Sequence, residues 1–277
     1  MNHDDAFAYL NEVHTTLARQ TDLSPDNEDV NSCLTRFVAT LQNWQRNDFG
    51  GDLADMPEGR RLAEDLPRLC ANAECQMEKW WCRKILASEC VGAQALAAFW
   101  YLDEYHTLCQ SEVELLGDEG IERFAFFGSG AMPVTAILLA RHYPDAVVSC
   151  VDQDAEACEF ADGLIRLLGL SQRIRVEEKR AEDYVPERNE AIICASLLQA
   201  PSLYDRLRGR RTRRMIVRDA EGPYRFCYRP APLPTSGYVQ RAKSAPTPAR
   251  INTSRYFELS GQDHPVDLSH PASYVLA

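Results

Sequence analysis

The sequence of 277 residues lacks several features that would place it in a particular class of protein. No run approaches the roughly 18 consecutive apolar residues that a membrane-spanning helix needs. Its first residues, MNHDDAFAYLNEVH, are polar and acidic, unlike a secretory signal. It contains no internal repeat and no low-complexity tract. We therefore expect a globular protein of the cytoplasm that has no membrane partner.

The sequence also has few positively charged residues relative to negative ones, and its Cys and His residues lack the spacing of metal ligands. Thirty Lys and Arg face 41 Asp and Glu, which gives a net charge of -11 at pH 7. A chain this acidic is poorly suited to hold a phosphate backbone, which argues against a nucleic-acid partner. The ten cysteines include no CxxC pair, and the six histidines show no ligand spacing. We expect reduced thiols and no metal site.

Helical periodicity dominates residues 1–117. Apolar residues recur at steps of three and four, which predicts amphipathic helices. The clearest examples are Leu34, Phe37, Val38 and Leu41, followed by Leu62, Leu66 and Leu69. Polar segments rich in Asp, Asn and Pro predict loops at 21–31 and 47–58, and the glycines of 117–120 predict a hinge.

After residue 120, short apolar runs alternate with helix-like stretches. The predicted strands are 123–127, 146–151, 174–176, 191–195 and 215–218, with helices at 134–143 and 155–168. This alternation predicts a parallel sheet with right-handed crossovers. The segment 222–250, rich in Pro and Gly, predicts antiparallel edge strands and long loops. The predicted fold is α/β, with a Rossmann-like doubly wound domain at 118–277 preceded by an all-α N-terminal domain at 1–117.

A nucleoside site is suggested by the turn Gly128-Ser129-Gly130, which lies between a predicted strand and a helix. Glycines allow a sharp turn and a close approach of a ligand to the backbone. Asp152 ends the next predicted strand, where a carboxylate can accept hydrogen bonds from ribose hydroxyls. The third glycine of a dinucleotide fingerprint is missing, which favours a nucleoside without phosphates, such as S-adenosylmethionine. The alternative is a tight turn that binds nothing.

Two features of the helical half can carry chemistry. Glu74 and Glu78 are four residues apart, so they share one helix face. A carboxylate in an apolar setting has a raised pKa and can act as a base for an amine. Tyr101 and Tyr105 lie in an aromatic stretch, and tyrosine rings attract a sulfonium cation. The alternatives are a solvated charged face for the glutamates and a core stripe for the aromatics.

Polar residues also follow the later strands. Ser196 and Leu197 come after the fourth predicted strand, and Arg218 ends the fifth. Ligands of open parallel sheets bind outside the carboxyl ends of the strands. Arg218 is therefore a candidate to hold a substrate carboxylate in bidentate fashion, with a surface salt bridge as the alternative.

Taken in order, these segments resemble the nicotianamine synthase family, in particular its short bacterial type. The matching residues are Ala73-Glu74-Cys75-Gln76-Met77-Glu78, Phe99, Tyr101, Tyr105, Glu112, Gly128-Ser129-Gly130-Ala131-Met132-Pro133-Val134-Thr135, Asp152-Gln153-Asp154, Arg218, Ala220, Gly222, Phe226, Tyr228, Pro246, Thr247, Ile251 and Asn252. They span roughly residues 68–256. Three positions depart from the family pattern: Glu182 in the loop after the third strand, Trp100 in place of proline, and Asp219 in place of serine.

The resemblance implies a class I methyltransferase-like fold and a transferase. Such an enzyme moves the 3-amino-3-carboxypropyl (2-aminobutyrate) group of S-adenosylmethionine to the amine of an amino acid and releases methylthioadenosine. The short bacterial members include synthases of opine metallophores similar to staphylopine and pseudopaline. The resemblance therefore implies an amino-acid substrate, with histidine favoured, and a product passed to an opine-type dehydrogenase. S-adenosylmethionine is the co-substrate, no metal is implied, and a homodimer is compatible with the acidic surface.

The resemblance also implies roles for individual residues. The nucleoside is assigned to Gly128, Ser129, Gly130, Asp152, Ala181, Ser196 and Leu197, and the substrate to Arg218 and Asn252. Glu74 is the preferred base and Glu78 the alternate, while Tyr101 and Tyr105 orient the reacting groups. Two other functions stay open: a small-molecule methyltransferase, and a nucleoside-binding module that has lost catalysis.

Overall fold

The computed structural model describes residues 2–88, 92–117, 120–210, 212–244 and 250–260. The helices are α1 (His3–Ala18), α2 (Glu28–Arg46), α3 (Pro57–Leu86), α4 (Leu102–Leu116), α5 (Val134–His142), α6 (Ala155–Leu167) and α7 (Leu203–Gly209). The strands are β1 (Arg123–Phe127), β2 (Val147–Asp152), β3 (Ile174–Glu178), β4 (Ala191–Cys194), β5 (Arg214–Asp219), β6 (Tyr238–Lys243) and β7 (Thr253–Leu259).

The start of α2 differs from the sequence prediction. The Asn27 side chain caps this helix by accepting a hydrogen bond from the Val30 backbone, and Glu28 and Asp29 occupy the first turn. Acidic side chains stabilise the positive end of a helix, so the loop predicted at 21–31 ends at residue 27. The loop predicted at 47–58 is present up to Met56, and part of the predicted hinge, residues 118–119, lies outside the described residues.

The sheet confirms the predicted α/β fold. Its strand order is β3-β2-β1-β4-β5-β7-β6. Strands β1 to β5 are parallel, and β7 pairs antiparallel with both β5 and β6. Helices cover both faces, as in a Rossmann-like doubly wound domain of the class I methyltransferase type. The chain reverses its strand order between β1 and β4, and a crevice for a ligand forms at such a point.

Two hydrophobic cores meet along α3. The first half of this helix, including Leu62 and Leu66, packs with α1, α2 and the segment after β5. The second half, including Cys82 and Ile85, packs with α4, α5, α6 and one face of the sheet. The long helix therefore belongs to both cores, and the residues between the two halves lie where the cores adjoin.

No helix in the described part of the chain has both the length and the apolar character needed to cross a membrane. Nine cysteines fall within the described ranges and are free thiols, and eight of them are buried. Cys90 lies outside the described residues.

Candidate active site

The glycine turn lies directly after β1, at the carboxyl edge of the sheet. Gly128 and Gly130 have φ angles of 72° and 65°, in the left-handed region that favours glycine. The Gly130 backbone N–H donates to Asp152 Oδ2 at 2.9 Å. A Cβ atom at Gly130 would overlap the carboxylate of Glu78. Backbone conformation and space therefore both require glycine at this position.

Asp152 joins the glycine turn to the start of α6. Its Oδ2 accepts from Gly130, and its Oδ1 accepts from the Asp154 backbone N–H at 3.0 Å. The side chain is half-buried. Each carboxylate oxygen has a second acceptor position, so Asp152 can still receive hydroxyl donors. This arrangement suits the ribose role predicted for Asp152.

Helix α3 places Glu78 against the glycine turn. Glu78 Oε2 accepts a hydrogen bond from the Ala131 backbone N–H at 3.1 Å, and the residue is only 9% exposed. Burial raises the pKa of this carboxyl well above its usual range, and the nearby charge of Glu74 adds to the effect. Hydrogen bonds from the backbone N–H groups of Met132 and Ala131 partly oppose it.

Glu74 lies one turn earlier on the same face of α3, as predicted. Its Oε2 accepts a hydrogen bond from the Tyr228 hydroxyl at 2.7 Å. Burial raises the pKa of Glu74, while the Tyr228 hydrogen bond and the positive charge of Arg218 oppose that rise. The face that carries Glu74 and Glu78 points into the protein, so the alternative of a solvated charged face is wrong.

The aromatic stretch before and within α4 divides between core and surface. Phe99 is buried, whereas Trp100 and Tyr101 are 55% and 43% exposed. The stretch is therefore not a single core stripe. Tyr105 reaches the carboxylate pair: burial raises its pKa well above the usual range, with the charges of Glu78 and Glu74 adding to the effect.

Arg218 is engaged by a carboxylate of the protein itself. Its Nε and Nη2 donate to the two oxygens of Glu112 at 2.8 and 2.9 Å. Nη2 also donates to Thr135 Oγ1 at 2.8 Å, and the Ser254 hydroxyl donates to Glu112 Oε1 at 2.7 Å. Arg218 and Glu112 are 4% and 0% exposed, which excludes a surface salt bridge. The side of the guanidinium expected to hold a substrate carboxylate is occupied by Glu112, which corrects that prediction.

The other predicted residues follow the ends of the strands. Ala181 begins a short 3-10 turn after β3, and Ser196 and Leu197 follow β4. Asn252 precedes β7, whose first residue pairs with Asp219 at the end of β5. The sheet therefore brings all four residues to its carboxyl edge. The buried Oδ1 of Asn252 has no hydrogen-bond partner among the described residues.

The sequence motifs assign no role to Lys79 or Tyr228, although Lys79 ties two helices together and Tyr228 contacts Glu74. Lys79 Nζ lies 2.7 Å from Asp154 Oδ2 and 2.8 Å from Glu156 Oε2, which ties α3 to the start of α6. Tyr228 appeared only as part of a matching motif. Its contact with Glu74 joins residues 154 positions apart, and no local pattern signals such a contact.

Comparison with known proteins gives independent evidence for the family. Residues 3–196 match the family model described as "Nicotianamine synthase protein". "Probable nicotianamine synthase 4" from Hordeum vulgare is 33% identical over 160 residues, which are 56% of this chain and 47% of that protein. "Nicotianamine synthase 2" from Oryza sativa subsp. indica is 33% identical, with the same shares covered. The aligned region spans about half the length of these curated relatives.

Solved structures agree with the fold. The crystal structure of MtNAS in complex with MTA and tNA superposes with a TM-score of 0.79 at 17% identity, covering 92% of this chain and 98% of that one. A mutant of MtNAS in complex with S-adenosylmethionine gives a TM-score of 0.78 over the same shares. At this identity, the likeness concerns the fold. Because the family model matches well over half of the chain, the protein belongs to the nicotianamine synthase family.

Proposed function

We propose that this protein transfers the 3-amino-3-carboxypropyl group of S-adenosylmethionine to the amine of an amino acid and releases methylthioadenosine. The observation that carries the proposal is the pair of half-buried Glu74 and buried Glu78 on one face of α3, with Glu78 against the glycine turn of a class I methyltransferase-like sheet. Membership of the nicotianamine synthase family and the ligands bound by MtNAS support it.

The carboxyl edge of the sheet suits the nucleoside. Gly128, Ser129 and Gly130 form a turn whose glycines leave backbone surface open to a ligand. Asp152 retains acceptor positions for ribose hydroxyls. The remaining contacts are assigned to the residues after β3 and β4, namely Ala181, Ser196 and Leu197.

The reaction needs an unprotonated amine held in line with the carbon–sulfur bond. The nitrogen attacks the γ-carbon of the aminobutyrate arm, and the electron pair of the broken bond passes to sulfur. Orientation is the main contribution of the protein, since the sulfonium is already a good leaving group. Glu74 takes the proton from the acceptor ammonium, and burial strengthens it as a base by raising its pKa.

Neighbouring residues divide the remaining tasks. Glu78 anchors the glycine turn through Ala131 and is the alternate base. Tyr101 and Tyr105 orient the reacting groups and present aromatic rings to the sulfonium. Asn252, with its unpartnered Oδ1, can accept a hydrogen bond from the ammonium group of the aminobutyrate arm. Arg218 acts through its pair with Glu112.

The finer proposals follow the resemblance to the short bacterial type. Histidine is the favoured acceptor, the product is a nicotianamine-like or opine metallophore precursor, and an opine-type dehydrogenase uses it next. We also propose that the protein works in the cytoplasm as a possible homodimer, and that the helical region 1–117 covers the site formed by the sheet.

Product analysis tests the proposal. The protein is incubated with S-adenosylmethionine and a panel of amino acids that includes histidine, and the products are identified by mass spectrometry. Methylthioadenosine together with an aminobutyrate adduct of one amino acid supports it. Release of S-adenosylhomocysteine overturns it in favour of methyl transfer, and binding without either product favours a binding module. A reaction without protein corrects for spontaneous breakdown of S-adenosylmethionine.

A further inference from the structure

The hydroxyl that donates to Glu74 comes from the segment that follows β5. Tyr228 follows the 3-10 turn Gly222–Phe226, in the segment between β5 and β6. One carboxylate closes the part of this segment that contains Tyr228, since Asp219 Oδ1 accepts from the backbone N–H groups of Ala220 and Ala231 at 2.9 and 2.8 Å. The same segment packs against the first half of α3, so the Tyr228 hydroxyl and the Glu74 carboxylate are held together by packing as well as by their hydrogen bond.

The two carboxylates of α3 are held in different ways. Glu78 is fixed by a backbone N–H of the glycine turn. Glu74 is fixed by the phenolic hydroxyl of Tyr228 at 2.7 Å. A donor to a carboxylate favours its ionised form. Burial raises the pKa of Tyr228 well above its usual range, and the charge of Glu74 adds to the rise, so the phenol keeps its proton and acts as a donor.

We propose that Tyr228 is a positioning residue whose hydroxyl holds the Glu74 carboxylate in one orientation and in its ionised form, ready to take the proton of the acceptor ammonium. The inference rests on the role proposed above for Glu74. A neutral donor suits this role, because a cation in the place of the Tyr228 hydroxyl would form an ion pair with Glu74 and make Glu74 a weaker base.

The charges around Glu74 set the direction of the effect. The titratable groups that face it are Cys75 and Glu78 on α3, Tyr101 and Tyr105 at the start of α4, Arg218 on β5, and Cys227 and Tyr228 after the 3-10 turn. Tyr228 and Arg218 favour the ionised carboxylate of Glu74, whereas burial opposes it. Burial raises the pKa of Glu74, and the Tyr228 hydrogen bond lowers it. Removal of the Tyr228 hydroxyl should therefore raise the pKa of Glu74.

The test is the pH profile of aminobutyrate transfer in Tyr228→Phe. We expect the acidic limb of kcat/KM to move upward by about one pH unit, with about tenfold less activity on that limb and recovery at higher pH. The affinity for S-adenosylmethionine should stay near that of the wild type. Tyr256→Phe is the matched control, because the Tyr256 hydroxyl donates to Glu258 at the same 2.7 Å, within β7. Its profile should equal that of the wild type.

A double variant shows whether Tyr228 acts through Glu74. In a Glu74→Gln background, Tyr228→Phe should cause no further loss, because the group it serves is absent. An equal loss at every pH, or a full additional loss in the double variant, would overturn the inference.

A measurement without turnover separates this inference from the proposed function. The infrared spectrum of the wild type minus that of Glu74→Gln isolates the carboxyl band of Glu74, which is followed as pH changes. The spectrum of Tyr228→Phe minus that of the double variant isolates the same band without the Tyr228 hydroxyl. An upward shift of the titration supports the inference even if the product is S-adenosylhomocysteine, an outcome that refutes only the proposed function. An unchanged titration refutes the inference even if aminobutyrate transfer is observed.

Discussion

Buried carboxylates occupy two regions between the helices and the sheet, and the protein treats their charges differently. At β5, Glu112 meets Arg218 in a bidentate pair that Thr135 and Ser254 complete with further hydrogen bonds. On α3, Glu74 and Glu78 lie close together and receive donors that carry no full charge. The first region balances its charge within the fold.

In the second region neither carboxylate forms a salt bridge within the described part of the chain, and only the more distant charge of Arg218 acts on Glu74. Two neighbouring carboxylates in a buried setting raise each other's tendency to hold protons. A cationic sulfonium and an ammonium are ligands that would restore the balance. The comparison teaches that compensation within the chain marks a structural carboxylate, whereas a shortage of compensation marks one available for chemistry. Substitutions in the two regions test that distinction.

The largest effect is expected at Glu74. Glu74→Gln should lower turnover by about a hundred- to ten-thousand-fold, the usual contribution of a general base, while binding of S-adenosylmethionine is largely retained. Turnover is followed by release of methylthioadenosine and binding by calorimetry. Glu64→Gln makes the same change at an exposed position of α3 and should have wild-type turnover. Unchanged turnover in Glu74→Gln would remove Glu74 from the role of base.

Loss of the ion pair between Arg218 and Glu112 should lower the stability of the protein. Glu112→Gln leaves Arg218 buried without its ionic partner, and we expect a loss of about 3–5 kcal/mol in the free energy of unfolding. Asp162→Asn breaks a more exposed pair with Arg166 and should cost less than about 1 kcal/mol. Urea unfolding measures both. If the two variants lose similar amounts, the pair at Arg218 is not the structural element described here.

A substitution in the glycine turn should affect both the stability of the fold and the binding of S-adenosylmethionine. Gly130→Ala adds a Cβ atom against Glu78 in a left-handed backbone, and we expect a loss of about 2–4 kcal/mol in stability and weaker binding of S-adenosylmethionine. Gly169→Ala has the same backbone strain, with a φ of +69°, but meets no atom within 4 Å. It should cost about 1 kcal/mol and leave binding intact. Equal losses would show that the contact with Glu78 is unimportant.

The smallest expected effect is a gain in stability. Burial raises the pKa of Glu78 in the folded protein, so the folded state holds this proton more tightly than the unfolded state does. The wild type therefore loses stability as pH rises from about 4.3 toward the folded pKa. Glu78→Gln removes this loss, and its amide oxygen can still accept from Ala131.

We expect Glu78→Gln to be more stable than the wild type by about 1–2 kcal/mol at pH 8, with a smaller difference at pH 5. Unfolding in urea at both pH values gives the comparison. Glu159→Gln, at an exposed position of α6, should show no such dependence. A difference that grows toward low pH would contradict the sign derived for Glu78.

The sheet was largely predictable from sequence because its strands are short apolar runs between turn signals. The five parallel strands lie within two residues of their predicted bounds at each end. Of the antiparallel strands predicted within 222–250, β6 lies there at the sheet edge, whereas β7 begins after residue 250 and lies between β5 and β6. The start of α2 was missed because the capping side chain of Asn27 lies in a segment whose composition is typical of loops. The start of α2 depends on the capping hydrogen bond of Asn27, which the composition of the segment does not reveal.

The site was predictable where local spacing or the end of a predicted strand carries the signal. The spacing of Glu74 and Glu78 predicts a common helix face, and Gly128 with Asp152 predicts a turn and a strand end. The partners of these residues come from distant parts of the chain. Glu112 is 106 positions from Arg218, and only the folded chain reveals that this pair is closed to a substrate carboxylate.

Helix α3 is 30 residues long, about 45 Å at the usual rise per residue. Glu74 and Glu78 lie near its centre, between the stretch held by the N-terminal helices and the stretch held by the sheet. Because one continuous helix contributes to both hydrophobic cores, a change in the position of one core relative to the other requires this helix to bend. The two carboxylates proposed for catalysis therefore keep a fixed place between the two cores.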